Sequence, residues 1–284
     1  MQYNYSVIIP YRDKYDLFLK AVDSVPDRND IQIIIVDNAP RPLLKADVPI
    51  KKNALVTYTT SSPAKGAGGA RNEGLKYVEG NYLLFLDADD YFTPDAFSFF
   101  DAYVDKNYDI VFFKPTSIKL SDGTLSNRHV TYANFVDSYL SRGEEDNLRF
   151  WYTVPWGKMI STYLVQKHSI QFDETFASND LMFSVKIGFY ASNITASTDV
   201  VYVVTESGAG GSIDKTKTKE AQFARYTVAV SQYEFMSKVG RKDQRFSLLS
   251  YILRSWKDFG FSEFLKYLHY ARSHRANIFV NLFK

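Results

Sequence analysis

The sequence predicts an α/β fold built around a doubly wound sheet. Three observations carry this prediction. Short apolar segments recur through the first 115 residues, segments with helical spacing separate them, and charged residues gather where the apolar segments stop. Strands alternating with helices give a sheet covered by helices. Such sheets bind ligands at the carboxyl ends of their strands.

YSVIIP (5–10), IQIIIVD (31–37), ALVTYT (54–59), NYLLFLD (81–87) and YDIVFFK (108–114) are short, rich in β-branched or aromatic residues, and apolar on both faces, as buried parallel strands are. DLFLKAVDSV and ARNEGLKYVEG carry apolar residues at helical spacing between them. Thr93 and Pro94 form a cap and first-turn pair opening a helix to about Val104. SDGT (121–124) is a hairpin signal, and TYANFVDSYLSRG is helical. VPWGKMIS leads into TYLVQKHSI, and FDETFASNDLMFSVKIGFYA is a loop ending in a helix whose first turn holds Asn179 and Asp180. VVYVVT is a further strand. ESGAGGSIDKTKTK reads as a flexible boundary before two or three helices, dividing residues 1–205 from a basic helical region, 206–284.

Composition narrows the function classes. Apolar residues make up 45% and charged residues 23%, which excludes disordered and fibrous chains. The absence of cysteine removes disulfide scaffolds, thiolate metal sites and thiol nucleophiles together. MQYNYSVIIP is neither a secretory signal nor a membrane span, and no apolar run is long enough to cross a bilayer, so a cytoplasmic protein is expected. The net charge of +2 divides unevenly, −7 over residues 1–214 and +9 over residues 215–284. An acidic first part without a recognition motif argues against nucleic acid as partner.

The strand ends hold the candidate chemistry. Pro10, Tyr11, Arg12 and Asp13 follow the first strand, Asp37 and Asn38 the second, a glycine-rich stretch the third, and Asp87, Asp89 and Asp90 the fourth. Asp87 and Asp89 share a face of the chain, so their carboxylates need a cation between them or ample water. A divalent metal carrying a phosphorylated ligand meets that need; a solvated acidic turn is the alternative. SSPAKGAGGARNEGL (61–75) places glycines before a helix, where backbone N–H groups can meet an anion, although it fits neither the P-loop nor the dinucleotide pattern. Arg71, expected in the first helical turn, is poorly placed for the helix dipole and needs a phosphate or an acidic neighbour.

SVIIP, IIIVDN, GARNEGL, LLFLDADDYFTPDAF, WGKMIS and SNDLMFSVKIG resemble, in order and spacing, the family 2 glycosyltransferases of the GT-A fold, over roughly residues 5–205. The resemblance implies a Rossmann-like mixed sheet flanked by helices, with a C-terminal helical segment. It also implies inverting transfer of a sugar from a nucleotide-diphosphate donor, expected to be a UDP-sugar, to an acceptor hydroxyl in bacterial surface polysaccharide or glycolipid synthesis. On this likeness Asp37 binds the nucleobase, Asp87 and Asp89 form the DxD pair holding metal and nucleotide sugar, Arg71 lies near the nucleotide, and Asp180 is the catalytic base. PYRDK (10–14) is closer to the Pro-Phe-Arg-Asn-Arg of galactosyltransferase-type enzymes, so Arg12 approaches the diphosphate or nucleoside, with Pro10, Tyr11 and Asp13 beside the donor. The chain departs from the family at VDNAP, where one aspartate replaces two, at Asn179, where glutamate is usual, and at Arg12, where tyrosine is usual.

The chemistry is coherent by itself. A hard divalent cation, Mn2+ or Mg2+, stabilises a departing nucleoside diphosphate and takes oxygen ligands. Inversion needs a base on the opposite face of the sugar, a role open to Asp180, which as an acid at a helix start could instead serve as a cap. Trp156 is core or cleft wall, Lys158 is expected in solvent, and the histidines at 129, 168, 269 and 274 show no metal spacing. The aromatic, basic tail either packs on the catalytic domain or meets a membrane surface, which a lipid-linked saccharide acceptor would make useful. Two other classes stay open: a sugar-nucleotide nucleotidyltransferase, against which the absence of glycine in VIIPYRDK counts, and a noncatalytic sugar-nucleotide-binding protein.

Overall fold

A computed structural model describes residues 3–207 and 218–280. β1 (Tyr3–Tyr11) pairs in parallel with β2 (Ile31–Asp37) on one side and with β4 (Gly80–Phe85) on the other, in registers Ile8↔Ile34 and Val7↔Leu84. β3 (Leu55–Thr60) parallels β2 at the sheet edge. That position leaves the segment predicted to be buried on both faces half-buried, with Leu55 exposed. β5 (Tyr91–Phe92), β6 (Ile110–Lys119), β7 (Lys158–Ser161) and β8 (Ile194–Glu206) complete the order β3-β2-β1-β4-β7-β6-β8-β5. β7 is antiparallel to both neighbours, so the sheet is mixed. β6 and β8 run parallel, with register shifts on either side of Lys114, next to Pro115, which lacks the N–H a regular ladder needs.

The helices are α1 (Tyr15–Asp23), α2 (Gly66–Leu75), α3 (Ala96–Asp101), α4 (Val130–Arg142), α5 (Thr162–Lys167) and α6 (Leu181–Tyr190). Two differ from the sequence reading. α3 starts later than Thr93 because Thr93 donates its backbone N–H and hydroxyl to the Val201 and Val200 carbonyls of β8 instead of capping a helix. α2 begins at Gly66, so the glycines lie within it and Arg71 falls in its second turn. Gly68 lets α2 lie against the chain around Asp173: a Cβ there would collide with the Asp173 carbonyl oxygen.

α7 (Lys219–Lys238), α8 (Leu249–Phe259) and α9 (Phe261–Ser273) enclose a second core of Tyr226, Tyr233, Leu248, Ile252 and Tyr267. Met236 of α7 packs with Phe150 and Val185, and the Arg241–Asp146 ion pair at 2.7 Å adds a polar contact to the first part of the chain. Leu253, Trp256, Phe261 and Leu265 stay exposed. Most of the predicted boundary segment, residues 208–217, lies outside the described residues.

From β1 the chain winds to β2 and β3, then returns to β4 on the opposite side of β1. This reversal opens a crevice at the carboxyl ends of β1 and β4, the place where doubly wound sheets bind ligands.

Candidate active site

A cleft of about 440 Å³ occupies that crevice. Pro10 lines it from the end of β1, Arg12, Asp13 and Lys14 from the loop that follows, Asp87 and Asp89 from the loop after β4, Ala67 and Arg71 from α2, and Asn179 from the chain before α6. Most of the polar strand-end residues picked from the sequence therefore meet in one place. Tyr11 and Asp37 do not line the cleft. Tyr11 packs on Phe18, and burial with the charges of Asp37 and Asp13 raises its hydroxyl pKa. Asp37 is buried and accepts from the backbone N–H groups of Ala39 and Leu43 and from the Tyr58 hydroxyl, at 2.7 to 2.9 Å, which folds the loop after β2. Its neighbour Asn38 is the cleft-lining residue there.

Arg71, only 4% exposed, found the acidic neighbour its position required. It donates to Asp87 Oδ1 at 2.5 Å and to Asn179 Oδ1 at 3.0 Å, and its guanidinium lies 5.3 Å from the Phe172 ring centroid. Burial works against its charge, but Asp87 and Asp180 outweigh this and hold its pKa above the ordinary value. Among the described residues, Nε of Arg71 has no hydrogen-bond partner. Asp180 stands at the N-terminal end of α6 without making a capping bond, and its charge reaches Arg71 and Lys158.

The three aspartates after β4 have different surroundings. Among the described residues, hydrogen bonds engage one oxygen of Asp87, and Asp89 pairs with Lys14 at 3.6 Å. Burial and the charge of Asp87 raise the Asp89 pKa. Asp90 is 4% exposed, with one oxygen on the Thr205 N–H at 2.7 Å and the other on the Tyr202 hydroxyl at 2.9 Å. Burial, then Asp87 and Asp89, push its pKa well up. Of these three, Asp87 and Asp89 keep oxygens without a hydrogen-bond donor among the described residues and so are the better placed for a bound cation. Among the described residues no three His, Cys, Asp or Glu side chains form a metal cage. A metal here would need donor-phosphate oxygens as well, the usual arrangement for Mg2+ beside one or two carboxylates, so the pair fits such an ion.

Lys158 departs from its expected place in solvent: it is 2% exposed, and Nζ donates to the Tyr152 and Val154 carbonyls at 2.6 Å each. Burial pushes its pKa well down, against the pull of Asp180. Its place at the start of β7, between β4 and β6, puts its side chain under the 152–156 loop. Trp156 is 4% exposed and stacks on Tyr202 at 5.2 Å and 9°. Its remaining surface, with Arg128, Tyr132 and Trp151, faces a second groove of about 310 Å³. Arg128 lines both hollows. Sequence reasoning missed Lys14, Arg128, Tyr202 and Thr205. Lys14 carried a signal, being part of PYRDK; the others lie in segments with no motif.

Comparison with known proteins bears on family and fold. Residues 6–168 match the family Glycosyl transferase family 2. The poly(ribitol-phosphate) beta-N-acetylglucosaminyltransferase TarS of Staphylococcus aureus is 24% identical over 206 residues, which cover 70% of this chain and 35% of TarS. WfaP of Escherichia coli, a UDP-Glc:alpha-D-GlcNAc-diphosphoundecaprenol beta-1,3-glucosyltransferase, is 29% identical over 131 residues, 40% of this chain and 52% of WfaP. The chain thus spans about a third and a half of the lengths of these two relatives. The solved structure of TarS 1–349 in complex with UDP-GlcNAc superposes with a TM-score of 0.64 at 19% identity, covering 95% of this chain and 88% of that one, so the two share the GT-A fold. A mannosyltransferase of Pyrobaculum calidifontis, in complex with GDP-Man and Mn2+, superposes at 0.54 and 14% identity, covering 96% of this chain and 76% of that one. With more than half of its residues inside the matched region, this chain belongs to glycosyl transferase family 2.

Proposed function

We propose that the protein is an inverting glycosyltransferase that moves a sugar from a UDP-sugar to a hydroxyl of a saccharide or lipid-linked saccharide in bacterial surface polysaccharide synthesis. The observation carrying this reading is the convergence of Arg12, Arg71, Asp87 and Asp89 on the β1/β4 crevice, with Asp180 close enough for its charge to act on Arg71. The names of TarS and WfaP supply the donor and acceptor classes. Family membership favours this over a nucleotidyltransferase.

Asp180 takes the proton of the acceptor hydroxyl as that oxygen attacks the anomeric carbon; the carbon–oxygen bond to the diphosphate breaks, and UDP leaves with the electron pair. Arg12 approaches the diphosphate, and Arg71 holds Asp87 and Asn179 in place between donor and base. Trp156 contributes to the acceptor-side wall. Asp87 and Asp89 would hold Mn2+ or Mg2+, which when bound neutralises charge building on the diphosphate. Asp37 acts through the loop it folds, bringing Asn38 to the nucleoside side.

A cytoplasmic enzyme acting on a lipid-linked acceptor works at the membrane face. Exposed Leu253, Trp256, Phe261 and Leu265 on the basic C-terminal helices suit peripheral contact with anionic lipid. Among the described residues, no helix is long and apolar enough to span the bilayer. Thermal shift with UDP, GDP and their sugars, with and without Mn2+, tests the reading, since specific binding raises the melting temperature. Stabilisation by UDP with Mn2+ is expected. No response to any nucleotide sugar sinks the enzyme reading, and a UDP response indifferent to metal sinks the role of the aspartate pair.

A further inference from the structure

The acidic turn after β4 is held by β8, more than a hundred residues away in sequence. Tyr202 is fully buried. Its hydroxyl accepts from the Asp87 N–H at 3.1 Å and donates to Asp90 Oδ2 at 2.9 Å. Thr205, on the same strand, donates its N–H to Asp90 Oδ1 at 2.7 Å and its hydroxyl to the Asp89 carbonyl at 2.5 Å. Two side chains therefore fix a backbone donor, a backbone acceptor and a carboxylate in a turn of four residues. The turn's own contribution is one bond, from the Asp90 N–H to the Asp87 carbonyl at 3.0 Å. The Tyr202 ring also stacks face to face on Trp156, so one residue touches both the acidic turn and the wall of the neighbouring groove.

We propose that Tyr202 and Thr205 are positioning residues: they preset the orientation of Asp87 and Asp89 toward the donor diphosphate, and Tyr202 ties that orientation to the Trp156 wall. The assignment rests on the donor reading above for its ligand, but the clamp itself is a property of the free protein. Crowded carboxylates tend to splay apart, and a turn holding them ready for a ligand gains affinity by having its disorder removed beforehand. Losing the Tyr202 hydroxyl leaves the part-buried Asp87 N–H without its acceptor and removes one of the two donors from the Asp90 carboxylate, while phenylalanine keeps the stacked ring.

The test compares Tyr202→Phe and Thr205→Val with Tyr82→Phe. Tyr82 also donates its hydroxyl to a backbone carbonyl, that of Val104 at 2.9 Å, away from the cleft. In the ligand-free protein, amide hydrogen exchange across residues 86–91 should quicken about ten-fold or more in Tyr202→Phe and Thr205→Val, and remain as in the wild type in Tyr82→Phe. The dissociation constant of UDP with Mn2+, by calorimetry, should rise about ten-fold in the first two and change less than about two-fold in the third. Unchanged exchange in both clamp variants overturns the proposal, as does quickened exchange with UDP affinity intact. A wild type that does not bind UDP overturns the donor reading instead, and the exchange measurement then decides the clamp by itself.

Discussion

Arg71 reaches Asp87 from inside α2 with a 2.5 Å hydrogen bond, and its other terminal nitrogen holds Asn179 at 3.0 Å. One buried cation thus joins the donor rim to the chain just before Asp180. The fork geometry makes both bonds, and a lysine ammonium cannot span them. Arg71→Lys should cost about 1 to 2 kcal/mol in urea unfolding, and Arg71→Met, which leaves Asp87 unpaired at a partly exposed site, about 2 to 4 kcal/mol. Both should weaken UDP binding. Wild-type stability in Arg71→Met would show that the pair contributes nothing to the fold.

Asp180 makes no side-chain capping bond at the start of α6, and its charge acts on the buried Arg71 and on Lys158. Asp180→Asn should lower kcat for transfer by about 10²- to 10⁴-fold, the usual contribution of a general base, with UDP affinity within about two-fold of wild type. Steady-state transfer with a UDP-sugar and calorimetry with UDP measure the two sides. Transfer that survives the substitution removes Asp180 from the mechanism, and the noncatalytic reading gains if the wild type binds UDP yet neither protein transfers.

Much of this was legible in the sequence because short apolar runs and helical spacing are local patterns. IQIIIVD and NYLLFLD became central strands, and Asn38 after the first met Asp87 and Asp89 after the second in the crevice, whereas Asp37 turned into the loop it folds. The failures involve partners distant in sequence. Lys158 reads as surface because lysine usually is, and only the folded 152–156 loop supplies the two carbonyls that satisfy its ammonium. Asp90 stands in the same acidic run as Asp87 and Asp89, and its own bonds could not be read there, because Tyr202 and Thr205, which engage both of its oxygens, are brought beside it by β8. Arg71 was set one turn too early because glycines signal loops, whereas here they let a helix pack closely.

The buried state of Asp90 sets a pH dependence. Its folded pKa lies well above the ordinary 3.8, so the folded protein holds its proton more tightly than the unfolded chain does. The stabilisation this gives is complete below the unfolded value and is lost as pH rises through the folded one. Between pH 4 and 7 the wild type should therefore lose stability relative to Asp90→Asn, by at most about 1.4 kcal/mol per pH unit, the limit for one proton. Urea midpoints at pH 4, 5, 6 and 7 measure the difference. Parallel curves for the two proteins would mean that Asp90 titrates normally.

Lys158 produces the opposite slope in a different window. Burial lowers its pKa well below 10.5 in the folded protein, so above the folded value the unfolded chain binds more protons. Stability should then rise with pH until the unfolded lysine also loses its proton. Lys158→Met keeps the length of the side chain, removes the titration, and leaves the Tyr152 and Val154 carbonyls without their donor, at a cost of about 1 to 3 kcal/mol. From pH 7 to 9, below the ordinary tyrosine range, the wild type should gain stability relative to the variant, again by no more than about 1.4 kcal/mol per pH unit. The substitution also frees the loop that carries Trp156, so the acceptor KM should rise more than kcat falls. Equal slopes in the two proteins would place the Lys158 amine in water, contrary to its two carbonyl contacts.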